Sequence, residues 1–144
     1  MVYFEDMGTA IDLPLDELEA LLETEEHGSA HAEDVRNFQV VETVGPTIVL
    51  AYERRFEGRW RKAKTRLTAF PPYCRCVEDL EGDFAGTRFF VLHRPDGERT
   101  RVDVFGDVRG PSKSPEQLRR LWLDILAKAH EEDLATLRKL RGRK

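Results

Sequence analysis

The sequence predicts an α+β fold in which a curved antiparallel sheet of about seven strands wraps a long C-terminal helix. Three observations carry this. The last quarter, from Ser114 to Leu140, repeats apolar residues at helical spacing. The stretch from Val35 to Arg109 is cut by turn residues into short strand-like runs. Between the first strand and those runs lies an acidic, amphipathic segment that fits two short helices. At 144 residues the chain has the size of one typical domain, expected to span residues 1–144.

In chain order, Val2 to Asp12 opens on Val2, Tyr3 and Phe4 and reads as the first strand. Leu13-Pro14 ends it. Pro14 opens a helix with Leu15, Leu18, Leu21 and Leu22 on one face and Asp16, Glu17, Glu19 and Glu23 on the other. Acids in the first turn suit the positive end of the helix dipole. Gly28-Ser29 breaks the stretch 25–34, where a second short helix is expected. Six strands follow: Val35–Thr43, Thr47–Phe56, Arg59–Phe70, Tyr73–Leu80, Phe84–Arg94 and Arg99–Val108. Glycine, proline and aspartate mark the turns between them, at Gly45-Pro46, Glu57-Gly58, Pro71-Pro72, Gly82-Asp83 and Pro95-Asp96-Gly97. Such a meander twists and curls, so its concave face needs a partner.

The C-terminal helix is the one element long enough to fill that face. Ser114 suits the N-cap, Pro115 the first helical position and Gln117 the capping-box position. Its apolar stripe is Leu118, Leu121, Trp122, Ile125, Leu126, Ala129, Leu137 and Leu140. A sheet gripping a helix leaves a gap, closed at one end by the short helices and suited to a small molecule.

Charge narrows the partners. No Lys or Arg precedes Arg36, while eleven acids do, and the net charge is −4. An acidic front does not favour phosphate backbones. The basic tail Arg138, Lys139, Arg141, Arg143 and Lys144 complements its own helix dipole, so no nucleic-acid partner is expected. With no long apolar run and no basic leader, the protein is expected to be cytoplasmic, without stable membrane insertion. Cys74 and Cys76 fall on the same strand face and read as small apolar residues. His27 and His31 read as solvated or capping side chains. The alternative is a metal grip four residues apart, completed by a carboxylate of the closing helix. No phosphate loop, nucleophile elbow, calcium loop or zinc spacing occurs, so phosphoryl transfer and serine hydrolysis have no support, and no cofactor is expected.

Several local features point one way. Asp12-Leu13-Pro14-Leu15 closes the first strand, Gly58-Arg59-Trp60 forms a hairpin, Phe84-Ala85-Gly86-Thr87 enters a strand, and the closing helix is long and acidic in its middle. Together with the element order, over nearly the whole chain, these resemble the START/Bet v 1-like (SRPBCC, polyketide cyclase-like) superfamily. The resemblance implies a helix-grip fold with an internal cavity for a hydrophobic or amphipathic ligand. Members of that superfamily include lipid and sterol carriers, aromatase/cyclases, hormone receptors and chaperone activators, and fold alone does not choose among them.

The leading expectation is therefore a non-enzymatic protein that binds a small hydrophobic or amphipathic ligand between sheet and helix. Trp122, Ile125, Ala129 and Phe105 would form the apolar wall, and Arg54 or Arg101 the polar anchor. The second is an aromatase/cyclase-like enzyme, which needs inward-facing acid/base groups such as Glu78, His93 or Asp103. The third is a protein-interaction module, which needs an exposed apolar patch. Alternation puts Arg101, Asp103, Phe105 and Asp107 on one face of the last strand and Val102, Val104 and Val108 on the other. Which face is wet decides between cross-strand ion pairs and charges inside the cavity.

Overall fold

The structure, a computed structural model, describes residues 2–23, 29–112 and 114–142. Seven strands form one antiparallel sheet: β1 (Val2–Ile11), β2 (Val35–Val44), β3 (Thr47–Phe56), β4 (Arg59–Phe70), β5 (Cys74–Glu81), β6 (Arg88–Asp96) and β7 (Arg99–Val108). Their order across the sheet is β1-β7-β6-β5-β4-β3-β2, so β1 and β2 are the edges. The helices are α1 (Leu15–Leu22) and α2 (Pro115–Gly142). The expected meander and closing helix are thus present. Of the stretch 25–34, where a second short helix is expected after the Gly28-Ser29 break, residues 25–28 lie outside the described residues; Ser29 and Ala30 are helical and 31–34 form a turn.

Local chemistry explains the joints. Glu57 and Gly58 both take positive φ, 51° and 74°, in the two-residue connection of β3 and β4, as a hairpin that follows the strand twist requires. The Ser114 hydroxyl accepts a hydrogen bond from the Gln117 amide at 3.2 Å, capping α2. The strand expected from Phe84 begins later, at Arg88. Residues 82–87 instead form a tight turn, held by Ala85 N to Gly82 O and Thr87 N to Phe84 O. That turn drops the Phe84 ring into the core.

The pairing register runs one row of residues across all seven strands: Thr43, Ile48, Leu67, Val77, Phe89, Gly106 and Phe4. Phe89 packs edge-to-face on Trp122 of α2, so this row lines the helix side. The adjacent row faces away and alternates in charge: Arg66, Glu78, Arg88 and Asp107 stand side by side on β4, β5, β6 and β7. The outer face is therefore the wet one, with cross-strand ion pairs.

The core lies at one side of the sheet. α2 packs on β1, β7 and α1. Phe4, Phe89, Val102, Val104, Val108, Trp122 and Leu126 are buried together there, with Leu13, Leu18 and Leu21 from the α1 region. Each such side chain contributes roughly 1.5–3 kcal/mol of burial. Toward β2 the cover gives out: Phe38, Val40, Val41 and Val44 are exposed. β2 also pairs irregularly, with register breaks between Arg36 and Gln39 and between Val40 and Glu42.

Gly106 explains how β7 bends under β6. A methyl group there would meet Arg88 O at 2.3 Å and Phe89 Cα at 2.6 Å. Gly106→Ala is therefore expected to destabilise the fold by about 1–3 kcal/mol in chemical denaturation, the usual range for overpacking. A loss well under that range would show that β6 yields easily.

Candidate functional site in the concave face

Where α2 leaves the sheet uncovered, the helix side of β3, β4 and β5 carries a buried polar chain. Val40, Leu50, Thr65 and Asp79 are register partners and so share this face. Two residues along β3 from Leu50 comes Tyr52, and two further Arg54. The Thr65 hydroxyl donates to Asp79 Oδ1 at 2.8 Å. Its one proton being spent, Thr65 Oγ1 accepts from the Tyr52 hydroxyl at 2.7 Å. Tyr52 in turn accepts from Arg54 Nη2 at 3.0 Å. Arg54 sets its Nη1 3.7 Å from Asp79 Oδ2 and its guanidinium 5.1 Å from the Phe84 ring centroid.

Asp79 is 4% exposed, and its Oδ2 accepts no hydrogen bond from the described residues. Burial pushes its carboxyl above the usual 3.8, against the opposing pull of Arg54 and Thr65. Burial also raises the Tyr52 phenol. Phe38 stacks on Tyr52 with ring centroids 5.0 Å apart, its other face in solvent. The chain thus lies at the bottom of an apolar slope formed by Phe38, Val40, Leu50 and Leu67.

Two further polar groups tie the helices to the sheet. Glu19 of α1 pairs with Arg75 Nη2 and with His93 Nδ1, each at 2.6 Å. Burial works against the Glu19 carboxylate, but those two partners hold it below its usual range. His31, in the turn before β2, sets Nδ1 3.0 Å from Glu132 Oε1 and Nε2 3.0 Å from Asp133 Oδ1. Burial alone would lower His31, yet the two carboxylates raise it, since the imidazolium donates from both nitrogens. His31 therefore tethers the turn before β2 to the closing helix through both ring nitrogens. His27 lies outside the described residues, and among the described residues no group of His, Cys, Asp or Glu is placed to hold a metal ion.

The anticipated site residues divide between the two faces. Arg54 faces inward, as do Trp122, which is buried, and Ile125, which packs against the core; Ala129 is half-buried on α2. Arg101 and Phe105 lie on the outer face. Phe105 stacks on Phe90 at 5.7 Å, and Arg101 bonds Asp96 and the Gly8 carbonyl. Of the acid/base candidates, Glu78 and Asp103 also turn outward, to Arg66 and Arg94, and His93 alone turns inward. The sequence reading passed over Asp79, Thr65 and Glu19. Asp79 faces inward by alternation with Val77, in unbroken register with Thr65 and Leu67, and a single carboxylate on a charged strand does not announce which face is dry. Glu19 sits on the acidic side of α1 and becomes half-buried only because Arg75 and His93 come to meet it.

No protein-family model matches the sequence, and no curated protein does. Solved structures do match along nearly the whole chain. A START superfamily protein from Mycobacterium smegmatis is 13% identical, with 96% of this chain and 98% of that one covered at a TM-score of 0.74. The Zhui aromatase/cyclase from Streptomyces sp. R1128 is 15% identical, with 94% and 90% covered at 0.66. Ara h 8.0201 is 11% identical, with 95% and 97% covered at 0.71.

The His31 contacts fix a pH dependence. A histidine raised in the folded state contributes stability that is full below its ordinary 6.5 and is lost as pH rises through the higher folded value. The stability gap between wild type and His31→Asn should therefore be widest near pH 6 and narrow toward pH 9 in urea titrations. A gap that widens with pH would sink the assignment.

Identity this low speaks to architecture, and on that level the order of elements, the antiparallel register and these matches agree: the chain has the START/Bet v 1-like helix-grip fold.

Proposed function

We propose that the protein binds a small hydrophobic or amphipathic molecule between the sheet and α2. The observation that carries this is the uncovered inner face of β2–β4. Phe38 and Val40 stand 42% and 61% exposed on the side of the sheet that elsewhere forms the core, and the slope behind them ends in a buried polar group. Apolar side chains grading into a few convergent polar atoms are the usual composition of a ligand site.

In this reading the apolar body of the ligand lies on Phe38, Val40, Leu50 and Leu67. Arg54 stands at the polar end, and Ile125 and Ala129 bound the site from the helix. Arg101 and Phe105 take no part, being on the other face of the sheet. The START/Bet v 1-like neighbours, which include an aromatase/cyclase, support a fold that accommodates such ligands. A cyclase reaction needs acid/base groups that converge. Here Glu78 and Asp103 point away and His93 is engaged by Glu19, which favours binding over turnover.

The test is saturable binding of an environment-sensitive naphthalene fluorophore to the purified protein, with native mass spectrometry for stoichiometry. One probe per chain is expected. Phe38→Ala should weaken it about tenfold, the worth of one lost aromatic contact, while Phe105→Ala should leave it unchanged. Equal sensitivity to both substitutions, or unsaturable binding, would overturn the proposal.

A further inference from the structure

The outer face of the sheet carries two ordered rows that play no part in the ligand-binding reading. The first is Arg66, Glu78, Arg88 and Asp107, one residue on each of β4, β5, β6 and β7. Its signs run plus, minus, plus, minus. Within the chain Glu78 stands 3.6 Å from Arg66 and 4.0 Å from Arg88, both beyond hydrogen-bond length. The Arg88 side chain is 63% exposed and that of Arg66 42%, so both guanidiniums keep donors for another partner. The second row, two residues along each strand, is Thr68, Cys76, Phe90 and Phe105. Small side chains fill its β4–β5 half and rings its β6–β7 half. Phe90 stacks on Phe105 at 5.7 Å and lies 6.3 Å from Phe70, which is 48% exposed. Aromatic surface bordered by charge is the composition of a protein contact.

Both rows are complementary to themselves under one operation. A two-fold axis lying along the strands, midway between β5 and β6, sets β5 over β6 of a second copy and β4 over its β7. Arg66 then faces Asp107 of the copy, and Glu78 faces its Arg88, with opposite signs at every place. In the second row Phe90 faces Cys76 and Phe105 faces Thr68, each ring on a small side chain. An axis across the strands through the charged row would set each charge on its like, so the pattern selects one arrangement. A sheet that wraps a helix is convex outside, so two copies touch near the axis, where Glu78, Arg88 and Phe90 lie. Arg88 is braced for such a contact, its guanidinium 5.9 Å from the Phe90 ring centroid.

We infer that the outer face is an isologous docking surface for a second copy of this chain, centred on β5 and β6. Four charges, Glu78 and Arg88 from each copy, alternate around the axis, and the rings beside them exclude water. The contact between convex faces is small, so the dimer is weak and reversible.

The experiment is sedimentation velocity on the full chain over a dilution series. Wild type should pass from monomer to dimer across the micromolar range. Glu78→Arg and Arg88→Glu each bring like charges together across the axis, and each should weaken self-association about tenfold or more. An equimolar mixture of the two variants should dimerise again, because the arginine introduced in one chain meets the glutamate introduced in the other. A wild type that stays monomeric throughout the range overturns the inference and leaves the face to a different partner. A dimer untouched by either substitution also overturns it, as does a mixture that stays monomeric while both variants are folded by circular dichroism. Raised salt keeps the test decisive if a variant does not fold: screening should loosen the wild-type dimer, and an association indifferent to salt is the opposing result.

Discussion

Trp122 is the contact on which the remaining architecture depends. Its ring meets Phe84 and Phe89 edge-to-face at 5.1 and 5.4 Å, and its indole N–H donates to the Arg109 carbonyl at 3.2 Å. One side chain thus joins α2 to the β5–β6 turn, to β6 and to the end of β7. Aromatic geometry fixes how α2 lies, and the hydrogen bond fixes how far along the sheet it sits. Once the N-terminal half of α2 is held over β6 and β7, the helix cannot also cover β2 and β3, and a concave strip stays open.

The strip differs from the core in chemistry as well as in cover. Under Trp122 the helix side of the sheet is Phe4, Val102, Val104 and Val108. Under the open strip it is Tyr52, Thr65 and Asp79. Burying a carboxylate is expensive unless it is paired and hydrogen-bonded, and the Asp79 chain does both only in part. Glu19 shows the alternative within the same molecule: two partners at 2.6 Å hold its carboxylate below its usual range, while Asp79 moves the other way. The difference is one of surroundings: Glu19 has two close cationic or donor partners, where Asp79 has the Thr65 hydroxyl and an Arg54 held at 3.7 Å.

How much of this was legible in the sequence follows from what each feature depends on. The long helix, its Ser114 cap, the meander and the face assignment of β7 all rest on local periodicity and turn chemistry, which one strand or helix carries by itself. The inward position of Arg54 was weighed but could not be settled, because alternation gives two faces without saying which is dry. Asp79 is hidden in the sequence for the same reason: it shares a face with Val77 by alternation, and only the packed sheet shows that this face is the dry one. Phe84 was given to a strand for its β propensity, but the following Gly86, at φ 93°, lets the chain turn there and the ring take its place against Trp122.

The irregular pairing of β2 has a consequence for what can approach the open strip. An edge strand with unpaired amides and exposed Phe38, Val40 and Val44 is ordinarily a template for another chain's backbone. Two register breaks, with Asn37 at φ 59°, interrupt the regular spacing that a docking strand would need. The apolar side chains remain available to a molecule that asks nothing of the backbone, whereas a polypeptide laid along the edge meets mismatched donors and acceptors. The irregular pairing of β2 thus works against fibril-like growth at this edge while its apolar side chains stay exposed.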